Sequence, residues 1–258
     1  MSREFIVTPA ISHGASGMGP YRLLLEEDGE LIQSARLEIG LGHRAVETCF
    51  ERFSYVAGNA LADKVDYLAA PACNLAYSMA VERLSGIEVP EPAQYTRVLL
   101  LEMNRISSHL YCISQVARAV GAATASQFAL REREKYADIF EMYCGSRIPF
   151  GSIRIGGVAD RVTEGILYRV ESTLKDTLLF LDELKSLFFF LPVFIARLQG
   201  LAKIPKSFAL DYGLSGPNAR SSGLEADLRR ERPYAAYDRI TLDYPHGERP
   251  SGAALERF

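Results

Sequence analysis

The sequence predicts an α+β protein in which a small N-terminal antiparallel β-sheet is followed by a mainly α-helical bundle. A strong hairpin signal predicts the sheet, and long segments with apolar residues three and four positions apart predict the helices. The chain has 258 residues, 48% of them hydrophobic and 24% charged, which is typical of globular proteins. Its formal net charge of -3 argues against nucleic acid as a partner.

The N-terminal hairpin is predicted by Asp28-Gly29, a favoured two-residue turn between strand-like residues 21–27 and 30–39. A glycine-rich loop at residues 12–20 precedes it. The glycines of this loop are spaced G-x-x-G-x-G, and a strand rather than a helix follows. No helix N-terminus is then available to hold a phosphate, so a dinucleotide-binding loop is not expected. We expect residues 12–20 to form a loop whose tip enters a cleft, rather than a loop that binds a phosphate.

The helical bundle is predicted to begin near residue 43. Helical periodicity covers residues 44–60, 64–86, 94–121, 126–144 and 159–191. Gly58-Asn59 is interpreted as a helix breaker. Segment 94–121 is apolar around most of its circumference, which places it at the centre of the bundle. Its charged residues Glu102, Arg105 and His109 share one stripe and are expected to form an ion-paired seam between helices.

Three regions are predicted along the chain: a β-hairpin region at 1–42, a helical bundle at 43–200 and an irregular segment at 201–258. The last residues look like the start of a helix with no terminating signal, which suggests that a C-terminal part is missing. The longest apolar run, 187–196, contains Pro192 and is shorter than the roughly 20 residues that a membrane span needs. We therefore expect a chain that is soluble by itself and reaches the membrane through a partner.

The cysteines at 49, 73, 112 and 144 form no C-x-x-C pair, and the histidines form no H-x-x-x-H pair. These spacings argue against a disulfide framework and against a zinc or iron–sulfur site. The residues therefore predict that this chain binds neither a metal nor a nucleotide.

Nine short strings of residues resemble one protein family, because they occur in the same order and with nearly the same spacing as in that family. The strings are Asp28-Gly29-Glu30, Ile39-Gly-Leu-Gly-His-Arg44, Asp66-Tyr67-Leu68, Ala80-Val-Glu-Arg-Leu84, Gly86-Ile-Glu-Val-Pro90, Arg105-Ile-Ser-Ser-His-Leu110, Arg131-Glu-Arg-Glu134, Arg154-Ile-Gly-Gly-Val158 and Leu214-Ser-Gly-Pro217. Together they resemble the D-type, quinone-site subunit of NADH:quinone oxidoreductase, respiratory complex I. That family is related to the large subunit of membrane-bound nickel–iron hydrogenases, and the resemblance implies the same type of fold. Asp66 and Ala69 stand where those hydrogenases carry an early C-x-x-C pair, so hydrogen splitting is not expected.

The resemblance implies a cleft in which a quinone, the substrate, docks between this chain and a partner. The partner carries the iron–sulfur cluster that supplies electrons, and NADH binds elsewhere in the assembly. Quinone reduction needs hydrogen-bond donors at the carbonyl oxygens, and Tyr67 matches the family's quinone-binding tyrosine. The family's second donor is a histidine on the N-terminal loop. Counting without gaps places Met18 there, whereas matching the His-Gly dipeptide selects His13, and both alternatives stay open.

Other matched positions lie close to the cluster in the family. Arg44 matches an arginine beside the cluster, and Arg154 begins the Arg-x-Gly-Gly-Val string. Pro149 stands near the position where the family has a histidine, and Ala119 replaces the aspartate that normally supports the loop histidine.

Two functions remain as hypotheses. The first is a quinone-site subunit coupled to ion translocation, with an iron–sulfur subunit and other complex subunits as partners. The second is a redox-silent structural subunit of a hydrogenase-related energy-converting membrane complex. In both cases the resemblance implies a peripheral position, on the cytoplasmic face of a bacterial inner membrane or the matrix side of a mitochondrial one.

Overall fold

The structure is a computed structural model that describes residues 3–7, 21–242 and 254–257. The strands are β1 (Arg3–Val7), β2 (Arg22–Asp28), β3 (Leu31–Glu38), β4 (Ile153–Arg154) and β5 (Gly157–Val158). The α-helices are α1 (Val46–Arg52), α2 (Tyr55–Ala62), α3 (Ala70–Ser85), α4 (Glu91–Ala119), α5 (Ala123–Cys144), α6 (Glu164–Leu184), α7 (Pro192–Leu198), α8 (Lys206–Asp211), α9 (Gly216–Ser221) and α10 (Leu228–Glu231). Short 3-10 turns lie at Tyr67–Ala69, Tyr237–Arg239 and Ala254–Arg257, and a π-helical turn lies at Lys185–Phe189. The predicted α+β class is confirmed.

The N-terminal sheet has the antiparallel order β1-β2-β3. The predicted hairpin joins β2 to β3, and Gly29 in its turn has a φ of 66°. That left-handed conformation carries no steric cost for glycine, which explains why Asp-Gly predicts this turn. A second, two-stranded hairpin of β4 and β5 was not predicted, because two residues per strand leave no periodicity to detect.

The bundle is centred on α4, which packs most extensively against α5. This arrangement confirms the prediction that the mostly apolar segment near 94–121 is central. The side chains with at most 1% exposure in this core include Leu100, Tyr136, Ile139, Phe140, Ile153, Leu184, Phe188 and Phe194. Burial of such side chains contributes about 1.5–3 kcal/mol each, so this region dominates the stability of the fold.

Two helix boundaries differ from the sequence-based prediction. The predicted helix at 44–60 is two helices, and Ser54 caps the second by accepting a hydrogen bond from the Ala57 amide at 3.3 Å. Gly58 was predicted to break a helix but lies inside α2, where the Tyr77 ring packs against it. The tertiary contact therefore overrides the local preference of glycine.

The predicted helix at 159–191 was wrong at both ends. Thr163 caps α6, which begins at Glu164, and the α-helix ends at Leu184 before the π-helical turn. Pro192 is the first residue of the next helix, α7. Proline suits this first position because its missing N–H would have no helical partner there. Among the described residues, no helix is long and apolar enough to cross a bilayer.

The predicted ion-paired seam on α4 is present for Glu102 and Arg105, whose side chains lie 3.2 Å apart. Glu102 also pairs with Arg229 of α10 at 3.1 Å and accepts a hydrogen bond from the Tyr237 hydroxyl. The seam therefore joins α4 to the segment after residue 200. The predicted region boundaries at 42 and 200 stay predictions.

Candidate functional site

The 3-10 turn that carries Tyr67 is held by two side chains, both of which bind the backbone of Leu68. Asp66 caps the turn, accepting a hydrogen bond from the Leu68 amide at 2.9 Å. Asn104 of α4 donates to the Leu68 carbonyl, also at 2.9 Å. The turn is thus attached to the central helix, while the Tyr67 side chain stays 49% exposed. The phenol is therefore open to solvent and not sealed in the helical interior. A quinone could reach the hydroxyl only in this exposed arrangement.

Tyr67 lines a shallow depression on the surface of the bundle. Its walls come from the turn, from α4, from α5 and from the segment that follows α5. The lining residues are Tyr67, Leu68, Asn104, Ser107, Ser108, Arg133, Phe140, Arg147, Ile148 and Pro149. The enclosed part of the depression has a volume of only about 10 Å³, roughly the room for one water molecule. Binding pockets for small molecules usually hold about 300–1,000 Å³. The depression therefore cannot hold a small molecule by itself and can serve only as one wall of a larger site.

The hydroxyl of Tyr67 is held in its protonated form. Partial burial raises its pKa above the usual value of 10.0, and the Tyr111 side chain raises it further through repulsion and a hydrogen bond. Asp66 acts in the same direction, while the Arg133 guanidinium opposes it. Tyr67 is therefore a neutral hydrogen-bond donor at physiological pH, the form required beside a carbonyl that gains negative charge.

Arg133 brings positive charge to the depression. Its guanidinium carbon lies 5.5 Å from the centroid of the Tyr111 ring, within the range of a cation–π contact. Its Nε is buried and has no hydrogen-bond partner among the described residues. Arg147, also on the wall, is instead neutralised by Glu134, Asp138 and Glu141. Arg133 thus has a hydrogen-bond donor, its Nε, that no described residue uses, and its charge is not neutralised as that of Arg147 is.

Pro149 shares the depression with Tyr67 and is itself buried. The next residues connect to the segment before Tyr67 through Asp63, a fully buried carboxylate that accepts a hydrogen bond from the Gly151 amide at 2.7 Å. Lys64 pairs with Asp63 at 2.7 Å, and its ammonium lies 4.4 Å from the Phe150 ring centroid. The structure therefore brings the predicted positions 67 and 149 together.

Arg44 and Arg154 each donate a hydrogen bond to a backbone carbonyl of these two segments. The exposed Arg44 guanidinium donates to the Lys64 carbonyl. Arg154, exposed on β4, donates from Nε to the Gly151 carbonyl at 3.3 Å. Arg154 thus contacts the segment around Pro149 directly, whereas Arg44 contacts Lys64, whose ammonium lies over the Phe150 ring. The predicted residues His13 and Met18 lie outside the described residues.

The hairpin that presents Arg154 is anchored by a buried ion pair. Arg97 of α4 has no exposed surface and binds Glu82 of α3 through both terminal nitrogens, at 2.5 and 3.1 Å. Arg97 also donates to the carbonyls of Arg154 and Gly157, at 2.8 and 3.1 Å. Arginine and glutamate are usually exposed, but here the buried Arg97–Glu82 pair positions the β4–β5 hairpin that carries Arg154.

Comparison with known proteins decides the family. The sequence model of the family described as respiratory-chain NADH dehydrogenase, 49 Kd subunit, matches residues 119–258. The chain belongs to this family. It is 39% identical over 240 residues to the D-type subunit of NADH-quinone oxidoreductase from Carboxydothermus hydrogenoformans, and the match covers 93% of this chain and 65% of that protein. It is 42% identical over 235 residues to the corresponding protein of Campylobacter concisus, covering 90% and 56% of the two chains.

A solved structure agrees with this assignment. The fold of this chain matches a chain in the structure of the membrane-bound sulfane sulfur reductase, which is described as an archaeal respiratory membrane complex. The TM-score is 0.91 at 29% sequence identity, with 99% of this chain and 67% of that chain covered. The chain spans between about half and two thirds of the length of the curated relatives it matches. The resemblance found in the short sequence strings is therefore confirmed.

Sequence reasoning missed Arg133, which lines the depression with Tyr67, and Tyr111, whose ring lies under the Arg133 guanidinium. Asn104, Ser108 and Tyr111 are spaced i, i+4, i+7 and so lie on one face of α4, the face that receives the Tyr67 turn. That spacing was a usable signal. Among the described residues, no cluster of three or more His, Cys, Asp or Glu side chains could hold a metal ion.

Proposed function

We propose that this chain is the quinone-site subunit of a membrane-associated NADH:quinone oxidoreductase. The observation that carries the proposal is the exposed, protonated Tyr67 hydroxyl on the wall of an open depression. Electrons come from an iron–sulfur cluster in a partner subunit, and the quinone docks between that partner and the Tyr67 wall. NADH oxidation and coupled ion translocation belong to other subunits of the assembly.

The chemistry follows from the charge that develops during reduction. Each electron that enters the quinone makes its oxygens more basic, and a donor in a water-poor cleft stabilises this charge better than solvent does. Tyr67 donates a hydrogen bond to one quinone oxygen and then its proton. The positive charge of Arg133, in the same wall, favours the anionic stage. His13 or Met18 contacts the second oxygen, as a donor in the first case and as apolar padding in the second.

The partner completes the site because this chain supplies only one wall. A quinone head-group cannot be enclosed by a depression whose enclosed volume is only about 10 Å³. Arg44, bonded to the Lys64 carbonyl, and Arg154, bonded to the Gly151 carbonyl, are both exposed, so they face this partner and its cluster. Their positive charge stabilises the reduced cluster.

The test uses the assembled complex with Tyr67→Phe, which removes only the hydroxyl. We expect quinone reduction to fall about 100-fold or more, the usual contribution of a positioned acid, while NADH still reduces the partner's cluster. Tyr168→Phe is the matched control, because Tyr168 is 76% exposed on α6 and outside the depression. Unchanged turnover in Tyr67→Phe would mean that this residue only packs.

The two alternatives for the loop predict different results for His13→Ala. If His13 is the second donor, the substitution slows quinone reduction. If Met18 occupies that position, His13→Ala is nearly neutral, and Met18→Ala instead weakens quinone binding by removing apolar contact.

A structural role is the second candidate, and two observations favour it. Ala119, where the family has an aspartate, is exposed at the end of α4, and the buried Pro149 replaces a titratable side chain. A redox-silent subunit of a hydrogenase-related membrane complex would tolerate both changes. In that case the complex without this chain fails to assemble, whereas Tyr67→Phe has no effect on any redox activity.

A further inference from the structure

Strand β3 is the free edge of the N-terminal sheet. It pairs with β2 on one side, and no strand in the described part of the chain pairs with its other side. Outside the strand ladders, none of the backbone hydrogen bonds between described residues involves residues 31–38. The outer side of β3 therefore presents a row of backbone N–H and C=O groups, which is a template for another strand.

The edge carries little of the protection that natural sheets give to such strands. β3 is eight residues long and contains neither proline nor lysine. A bulge disturbs its first half, because Gln33 has no register partner in β2 between Ile32 and Ser34. Residues 34–38 pair regularly with β2, and this stretch is long enough for a further strand to pair with it.

One face of the sheet is apolar next to this edge. Ala35 pairs with Leu25 and Leu37 pairs with Leu23, so these four side chains share a face. Leu37 is 55% exposed, and Ile39, which follows the strand, is 78% exposed. A leucine and an isoleucine this exposed beside an unpaired edge favour a covering partner.

The opposite face is polar, and its groups are paired within the sheet. Ser34 donates a hydrogen bond to Glu26 at 2.9 Å, and Arg22 lies 3.7 Å from Glu38. A partner segment that joins the sheet is therefore expected to place its apolar side chains on the Leu37 face.

The charge of the hairpin selects the chemistry of the partner. Residues 21–39 contain five carboxylates and two arginines. Four of the carboxylates lie around the hairpin turn, namely Glu26, Glu27, Asp28 and Glu30. This charge repels an anionic membrane surface and attracts a segment that carries Lys or Arg.

We propose that β3 binds an extended, basic segment of a partner subunit, which joins the sheet as its fourth strand. Apolar side chains of this segment cover Leu37, and its basic side chains face the acidic turn. The inference rests on the proposed membership of a multisubunit assembly, but it does not depend on quinone chemistry at Tyr67.

Hydrogen–deuterium exchange of the full chain, alone and in the assembled complex, tests strand addition. In the isolated chain every second amide of residues 34–38 points away from β2 and exchanges freely. We expect these amides to exchange at least tenfold more slowly in the complex, because carbonyls of the partner accept their hydrogen bonds. The amides of β2 are the control and should change less.

Three results of this experiment would overturn the proposal. Unchanged exchange at residues 34–38 would mean that no strand is added. An equal gain of protection along β2 would mean that the whole sheet is stabilised rather than its edge. Protection that appears in the isolated chain as its concentration rises would assign the edge to a second copy of this chain.

Leu37→Thr tests the apolar contact, since threonine keeps a high strand propensity. We expect the affinity of this chain for the rest of the complex to fall about tenfold or more, the effect of losing the contact of one leucine. Ile32→Thr is the matched control, because Ile32 is 54% exposed on the same strand but lies before the bulge. Equal losses in the two variants would contradict docking along residues 34–38.

The double variant Glu27→Gln and Glu30→Gln tests the charge. We expect weaker association with the rest of the complex at low salt and a smaller dependence of the affinity on salt concentration. An unchanged salt dependence would overturn the basic character of the segment. Tyr67→Phe should leave all of these measurements unaltered, so failure of the strand addition and failure of the proposed function are distinguishable.

Discussion

Arg97 and Glu82 form a buried, two-pronged ion pair between α4 and α3, with nitrogen–oxygen distances of 2.5 and 3.1 Å. Glu82 also accepts a hydrogen bond from the Gly156 amide at 2.8 Å, and Arg97 donates to the carbonyls of Arg154 and Gly157. Both partners of the pair thus satisfy backbone groups of the β4–β5 hairpin. The pair fixes the hairpin, and with it Arg154, against the centre of the bundle.

Breaking this pair should destabilise the protein strongly. Glu82→Gln leaves the Arg97 charge buried without its counter-charge, a change that costs about 3–5 kcal/mol of the free energy of unfolding. Urea denaturation measures this loss, and amide exchange at Gly156 reports the release of the hairpin. Glu171→Gln is the control, because Glu171 and Lys175 form a fully exposed ion pair, 2.7 Å apart, which solvent screens. Equal effects of the two substitutions would contradict the anchoring role of Glu82.

Asp227 should make the attachment of the segment after residue 200 dependent on pH. The Asp227 carboxylate binds Arg229 at 2.6 Å, and Arg229 in turn binds Glu102 of α4 at 3.1 Å. The hydrogen bond from Arg229 lowers the pKa of Asp227 below its ordinary value of 3.8. The folded protein therefore binds a proton less readily than the unfolded chain. The stabilisation is fully present above about pH 3.8 and is lost as the pH falls through the folded-state pKa.

Asp227→Asn tests this linkage. Denaturation between pH 6 and pH 3 should show a smaller decrease in stability for the variant than for the unmodified chain. At pH 6 the variant should be less stable by about 1.5–3 kcal/mol, the contribution of a charged hydrogen bond. Asp211→Asn, an exposed carboxylate at the end of α8, should leave both quantities unchanged. A pH dependence that persists in Asp227→Asn would contradict the assignment.

Gly58 should not tolerate a side chain. An alanine Cβ at this position would overlap the Tyr77 hydroxyl and lie 2.8 Å from Tyr77 Cζ and 3.3 Å from Phe50 Cδ1. Overpacking of this kind costs about 1–3 kcal/mol, which thermal or urea denaturation of Gly58→Ala would measure. Gly165→Ala is the matched control, because the nearest atom to its Cβ is Thr163 Oγ1 at 3.9 Å. It should be neutral or stabilise α6, since alanine is the better helix former.

Combining Gly58→Ala with Tyr77→Ala gives a further check. Removing the ring makes room for the new methyl group. The double variant should therefore lose less of the free energy of unfolding than the sum of the losses in the two single variants. Strict additivity would mean that Gly58 and Tyr77 do not interact.

Features that depend on short stretches of chain could be predicted from the amino-acid sequence. Asp28-Gly29 specified the hairpin because its turn needs only local backbone geometry, and helical periodicity located α4 and α5 within a few residues. The ordered strings identified the family and selected Tyr67. Where a neighbouring side chain changes the local preference, as Tyr77 does at Gly58, local reasoning was wrong.

Which distant residues share the site depends on the packing of the helices. Arg133 and Tyr67 line one depression because α4 and α5 pack together and Asn104 holds the Tyr67 turn. Nor does the sequence distinguish the buried charge of Arg97 from the exposed charge of Arg44. The physical reason is that burial and pairing depend on partners far along the chain, which residue type and spacing do not encode.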